Sequence, residues 1–482
     1  MHFAVIARIV GILLMVFSAT MLIPAIISLL AADGAVMAFL IAFVLCFGCG
    51  GIVWLFVRRA RSELNIRDGF LVVALFWTVL GCFGSLPFLL AEGLHLPLSD
   101  AVFESISGLT TTGATVITGL DELPVSILFY RQFLQWLGGI GIIVIAVAIL
   151  PILGIGGMQL YRAETPGPVK DSKLTPRITG TAKALFLIYL YLTIACTAAY
   201  WLAGMSGFDA LCHAFSTVAI GGFSTHDASL GYFDNSMILI IASVFMLLAG
   251  INFGVHFFAW RSRRFYHYLR DSETRFYLFA VLVSCVVIVS FLAYTKTYTV
   301  QESVLLGVFH TISIATTTGF AAADFAVWPA FVPVMLILLS FMGGCGGSTA
   351  GGMKVVRVML ITKQGIRELK QLIHPHAIIP LKVGNKRVDA KTVSAVWSFF
   401  AVYMFSFLLI LLALMASNMD YTTAFSATSA TLNNLGPGLG DVSAHYGDVS
   451  RSAKWVLCYA MLLGRLEIFT LLVLFTPAFW KH

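Results

Sequence analysis

Hydrophobic positions in this chain come in long runs rather than in alternation or one-sided stripes. Many uncharged runs reach the ~20 residues that cross a bilayer as helix, beginning with Ile9–Leu30 and Ala35–Val57 and continuing with Gly69–Leu90, Ala184–Leu202, Phe276–Tyr294 and Thr392–Ala416. Each of the last four is followed by a more polar segment too short to span, at Asp100–Leu109, Phe208–Val218, Glu302–Ala315 and Tyr421–Leu432. A tight turn comes next: Thr110-Thr111-Thr112-Gly113-Ala114, Ala219-Ile220-Gly221-Gly222-Phe223, Thr316-Thr317-Thr318-Gly319-Phe320 and Asn433-Asn434-Leu435-Gly436-Pro437. A second long segment closes each unit, at Ser126–Ile155, Met237–Trp260, from Trp328 onward, and Ala453–Phe475.

The pattern is entry helix, short re-entrant helix, turn, exit helix, four times over. The turn glycines are 109, 97 and 117 residues apart. We divide the chain into two leading transmembrane helices (1–66) and four repeats (67–160, 161–265, 266–375 and 376–482), which predicts ten full crossings. The fold class is an all-α polytopic membrane protein with pseudo-symmetric repeats. A β-barrel would show alternating segments of ~10 residues instead.

Composition agrees. The 482 residues are 59% hydrophobic and 11% charged, against roughly a quarter charged in soluble domains, which excludes a water-soluble globule. The eight cysteines lie in or beside apolar runs, Cys46-Phe-Gly-Cys49 inside one, so neither a disulfide framework nor a redox motif is expected.

The net charge of +7 points to topology, not to nucleic acid. With a cytoplasmic N-terminus, 25 of the 30 Lys and Arg fall on the inner side, chiefly in 58–67, 162–183, 261–275 and 354–391. That is the positive-inside bias. Most acids, among them Glu104, Asp121, Asp227 and Asp324, fall on the outer half with the four turns.

Irregular backbone at membrane depth is tolerated only where protein buries it or water reaches it. Four like turns entering from one face fit best around a shared aqueous axis. Their glycines permit the positive φ that swings carbonyls towards it, and carbonyl rings replace a cation's hydration shell in potassium-selective pores. The short helices would aim partly negative C-terminal ends at the ion. The competing reading is four packing turns. In the second copy we take Gly222 as the aligned glycine, because His213 then matches Glu104 and His310, each nine residues before its glycine. Those three side chains are either proton relays or props behind the turns.

Two further features lie inward. Gly343-Gly344-Cys345-Gly346-Gly347-Ser348-Thr349-Ala350-Gly351-Gly352 interrupts the exit helix of the third repeat only. It lacks the ending of a phosphate loop, so no nucleotide site is expected in this chain. It reads as a mobile lid or as a packing kink. Arg465 lies twelve residues into the last helix, ~18 Å deep at 1.5 Å per residue. Glu467 or an aqueous pathway would offset the cost of its burial. Ser348 has no base placed beside it by any motif, so enzymatic chemistry is not expected.

In combination, Thr-Thr-Thr-Gly-Ala-Thr at 110–115, Ile-Gly-Gly-Phe-Ser-Thr-His-Asp at 220–227, the glycine stretch 343–352, Thr-Leu-Asn-Asn-Leu-Gly-Pro-Gly at 431–438 and Gly-Arg-Leu-Glu at 464–467 resemble the TrkH subunits of bacterial Trk potassium-uptake systems. Ktr, fungal Trk and plant HKT transporters are relatives of that family. The resemblance covers essentially the whole chain. It implies K⁺ as the transported ion, held by backbone carbonyls of Thr111, Thr112, Ile220, Gly221, Thr317, Thr318, Asn434 and Leu435 beside Gly113, Gly222, Gly319 and Gly436. It further implies a gating loop at 343–353, a pore arginine at Arg465, a homodimer in the lipid of the bacterial inner membrane, and a cytosolic TrkA-type nucleotide-binding ring as partner. Coupled symport with H⁺ or Na⁺ is the alternative to a gated pore. The fourth turn departs from the threonine-rich pattern, which predicts an unequal ring.

Overall fold

The computed structural model describes residues 1–60, 64–139, 141, 178–377, 379–384 and 386–481. The expected continuation of the first exit helix to Ile155, and the basic loop up to residue 177, lie outside these residues. Six helices are long and apolar enough to cross a membrane: Phe3–Ala31, Val36–Val57, Arg67–Leu90, Lys183–Leu202, Ser272–Tyr294 and Ala390–Ala416. They match the two leading helices and the four entry helices read from the sequence. Two bent pairs raise the number to eight among the described residues. The strand pairing found there is a two-residue ladder, Lys382–Val383 with Lys386–Arg387.

The molecule is built inside out relative to a soluble protein. Val36–Val57 carries a nearly uniform apolar surface and leaves Val44, Leu55 and Phe56 exposed, as suits a hydrocarbon solvent. The polar-rich short helices occupy the interior instead. In Leu98–Leu109 eleven of twelve residues are buried, among them Ser99, Asp100, Glu104, Ser105 and Ser107. Gly207–Ala219, Val300–Ala315 and Tyr421–Leu432 are likewise buried along their C-terminal halves. Three of the four have side-chain N-caps at the end away from the turns: Ser206 accepts from Asp209 N–H at 3.0 Å, Thr299 and Glu302 form a capping box, and Asp420 accepts from Thr423 N–H at 3.1 Å. Their C-terminal ends, with the negative end of the helix dipole, run directly into the turns.

The exit helices correct the sequence reading. Continuous helices were expected at Met237–Trp260 and Ala453–Phe475, with a break in the third repeat only. Ser236–Ala249 and Phe253–Ser262 instead meet at 95°, and Arg451–Arg465 and Phe469–Phe475 at 110°. The third exit helix stops at Ser340 and resumes at Val355. At the first bend Asn252 starts a new helix, its Oδ1 accepting from Gly254 N–H at 2.7 Å. At the second, Glu467 and Ile468 both take positive φ, 52° and 60°, and turn the chain. Arg465 therefore ends a helix rather than sitting in the middle of one.

Candidate functional site: a ring of four turns

All four short helices end in the same way. Thr111, Ile220, Thr317 and Asn434 adopt left-handed φ of 56°, 56°, 67° and 53°. The next residue's N–H reaches back five positions, from Thr112 to the Ser107 carbonyl, Gly221 to Ser216, Thr318 to Ser313 and Leu435 to Ala430, at 2.7–2.9 Å. This is the Schellman ending, normally built on glycine. A β-branched residue there is a genuine outlier, and holding it costs on the order of 1–3 kcal/mol. Two residues later Gly113, Gly222, Gly319 and Gly436 take φ of 82°, 77°, 83° and 96°. Gly222, not Gly221, is thus the equivalent of the other three.

The turns meet in chain order around one centre. A Cβ built on Gly113 would stand 2.1 Å from the Gly221 oxygen, on Gly222 1.9 Å from that of Thr318, on Gly319 2.1 Å from that of Leu435, and on Gly436 2.7 Å from that of Thr112. Each glycine backs onto the carbonyl preceding the next repeat's glycine, and the fourth returns to the first. Residues 111–112, 220–221, 317–318 and 434–435 are buried. Of their eight carbonyl oxygens, that of Gly221 accepts from Gln135 Nε2 at 2.6 Å. The other seven carry no hydrogen bond among the described residues.

On one side the ring opens into a cavity of ≈ 550 Å³ that all four turn glycines line, together with Asp227 and Asp324. Glu104, His213 and His310 lie behind the turns and do not line this cavity. Glu104 is ion-paired with Arg131 (Nε to Oε1 2.8 Å), both side chains essentially inaccessible, and accepts from Val116 N–H at 2.9 Å. Arg131 also donates to the Ser224 carbonyl at 3.0 Å, joining the first turn to the second. His213 donates to the Asp209 carbonyl and accepts from Ser224 Oγ, both at 2.8 Å. His310 is held between the Leu306 carbonyl and the backbone of Ala322 and Ala323. In the fourth repeat Ser426 does this work, accepting from Leu439 N–H at 2.8 Å. Each side chain braces the segment that follows its own turn.

On the opposite side the glycine loop lies against the ring. Gly351 N–H donates to Thr317 Oγ1 at 2.7 Å, and Gly352 N–H to the Asn433 carbonyl at 3.0 Å. Thr349 Oγ1 donates to the Val218 carbonyl at 3.0 Å, and Ala350 packs on Ile220 and Ala249. Arg465 completes the circuit: Nη1 donates to Thr111 Oγ1 (3.2 Å) and to the Thr349 carbonyl (3.3 Å), Nη2 to the carbonyls of Gly138 and Gly139. Glu467, one of the two partners considered for Arg465, pairs with Arg357 instead. Gly343, Gly347 and Gly352 have positive φ, and Gly344 sits against the Gly250 carbonyl, where a Cβ would approach to 2.9 Å. Gly346 N–H donates to Glu273 at 2.7 Å. Ser348 Oγ donates to the Cys345 carbonyl, bonded as a loop brace. Sequence reasoning missed Glu273, Gln135 and the pairing of Arg131 with Glu104; a charge or amide in an otherwise apolar segment was the available signal for the last two, whereas Glu273 stands among Arg270, Asp271 and Arg275 and gave none.

The chain is similar throughout to known proteins. A sequence model of the TrkH family, described as cation transport protein, matches residues 35–482. "Trk system potassium uptake protein TrkH" of Halomonas elongata is 58% identical and that of Vibrio parahaemolyticus 57% identical, with the whole of each chain covered. The Escherichia coli K12 protein of the same name is 52% identical over its full length. The crystal structure of the potassium transporter TrkH from Vibrio parahaemolyticus superposes with a TM-score of 0.91 at 54% identity, covering 100% of both chains. With a matching sequence over 35–482 and a matching fold over its whole length, the chain belongs to the TrkH family of cation transport proteins.

Proposed function

We propose that this protein takes potassium into the bacterial cell across the inner membrane, and that the ring of four turns is its selectivity filter. The observation that carries the reading is the set of buried, unbonded carbonyls at Thr111, Thr112, Ile220, Thr317, Thr318, Asn434 and Leu435. A buried carbonyl without a partner is costly. Seven around one axis are satisfied together by a dehydrated cation, as in carbonyl-lined filters. Gly221 joins them when Gln135 lets go. The relatives' names, as potassium uptake proteins, supply the ion.

The glycine loop and Arg465 then form the barrier below the filter. Thr349 offers its carbonyl to Arg465 directly beneath Thr111, so a fixed positive charge lies where an ion leaving the ring would pass. The cavity faces the periplasm and the loop faces the cytoplasm, in keeping with the sorting of Lys and Arg. The basic helix Val355–Ile373, which leaves the loop, is the docking surface for a cytosolic nucleotide-binding ring, and two copies of the chain assemble in the lipid.

Ion currents in proteoliposomes test the reading. The expected result is reversal at the potassium Nernst potential with no displacement by a pH or sodium gradient. A reversal potential that moves with either gradient would replace the gated pore by coupled symport.

A further inference from the structure

Glu273 sits in the first turn of the third entry helix, next to Asp271, which caps that helix by accepting from Thr274 N–H at 2.7 Å. Glu273 faces the glycine loop instead. Its Oε1 accepts from Gly346 N–H at 2.7 Å and from Val356 N–H at 3.1 Å. The two amides lie ten residues apart, on either side of the stretch 349–352 that covers the ring. Helix Val355–Ile373 has no cap of its own, since its N-cap residue is Lys354 at φ 74° and makes no side-chain cap bond. A carboxylate from another helix takes that place, where negative charge is favoured by the helix dipole. Lys354 holds the loop from the opposite polarity, Nζ donating to the carbonyls of Ser348 and Ala350.

We propose that Glu273 is the latch that holds the glycine loop across the ring: a positioning residue for permeation, acting on the loop and not on the ion. The proposal rests on the reading of the loop as the barrier. One carboxylate oxygen fixes both arms of the loop to a membrane-spanning helix, and charge-assisted bonds of this kind are about twice as strong as neutral ones. Loop opening therefore requires the Glu273 bonds to break, and tilting the third entry helix moves the lid directly.

The loop carries its own reporter, because Cys345 is fully buried. Site-resolved mass spectrometry after a water-soluble thiol reagent reads its exposure in the intact protein, while Cys196 and Cys212, buried elsewhere, report general loosening. In Glu273→Ala the rate of Cys345 modification rises about tenfold or more, and in Glu273→Gln, which keeps an oxygen acceptor without the charge, it rises less. Cys196 and Cys212 stay protected in both. Unchanged Cys345 protection in either variant overturns the latch, as does equal exposure of all three cysteines. Exposure of Cys345 alone with no rise in potassium flux leaves the latch standing and overturns the loop as the barrier.

Discussion

Asn434 of the fourth turn donates from Nδ2 to Thr112 Oγ1 of the first at 2.9 Å, so side chains 322 positions apart close the ring. The same Nδ2 donates to the Met461 carbonyl of the fourth exit helix at 3.0 Å. The loss of threonine in the fourth turn thus has a structural consequence: an amide reaches both neighbours where a hydroxyl would reach one. Asn also tolerates the left-handed φ that this position requires.

The closeness of each glycine to the next turn makes one prediction sharp. Gly113→Ala places a methyl against the Gly221 carbonyl, whereas Gly119→Ala, at a similar φ of 72°, meets nothing within 4 Å. Both substitutions incur backbone strain of ~1–2 kcal/mol, and only the first deforms the ring. Potassium uptake should fall by an order of magnitude or more in Gly113→Ala and stay near wild type in Gly119→Ala. Complementation growth at limiting potassium reads the difference.

The buried Glu104–Arg131 pair should behave as such pairs do when one partner is lost. Glu104→Ala leaves a guanidinium unpaired among Phe223, Thr115 and the Ser224 carbonyl, at a cost of about 3–5 kcal/mol. Replacing both residues, as Glu104→Leu with Arg131→Met, should cost less than either charge left alone. Thermal unfolding in detergent checks the order of the three.

Much of this was legible because a bilayer constrains the chain so strongly. The leading and entry helices were read from apolar runs, and exposed Leu55 and Phe56 of the second leading helix show why no polar face was needed. The turns were legible from Gly113, Gly319 and Gly436, and even the ambiguous second register resolves on Gly222. The exit helices were not. Their bends depend on Asn252 capping a new helix and on Glu467 and Ile468 turning the chain, local choices that leave the apolar run intact. The partners of Arg465 were equally hidden, because backbone carbonyls at Gly138, Gly139 and Thr349 have no sequence signature.

Arg465 yields the prediction for the barrier. Arg465→Ala removes the positive charge and releases Thr349, and potassium flux should rise, on the order of tenfold for each ~1.4 kcal/mol taken from the barrier. Arg465→Lys keeps the charge without the fork of donors and should fall between the two. Unchanged or lower flux in a folded Arg465→Ala protein would show that the barrier lies elsewhere.

The central claim is that the four turns act together as the ion-selective constriction, and the bi-ionic reversal potential tests it most directly. With potassium on one side of a planar bilayer and sodium on the other, the wild-type protein should show a reversal potential favouring potassium. Gly319→Ser, whose added Cβ would press on the Leu435 carbonyl at 2.1 Å, should move that potential towards zero in a protein that still folds and conducts. A folded, conducting Gly319→Ser protein with wild-type discrimination between the two ions would contradict the claim.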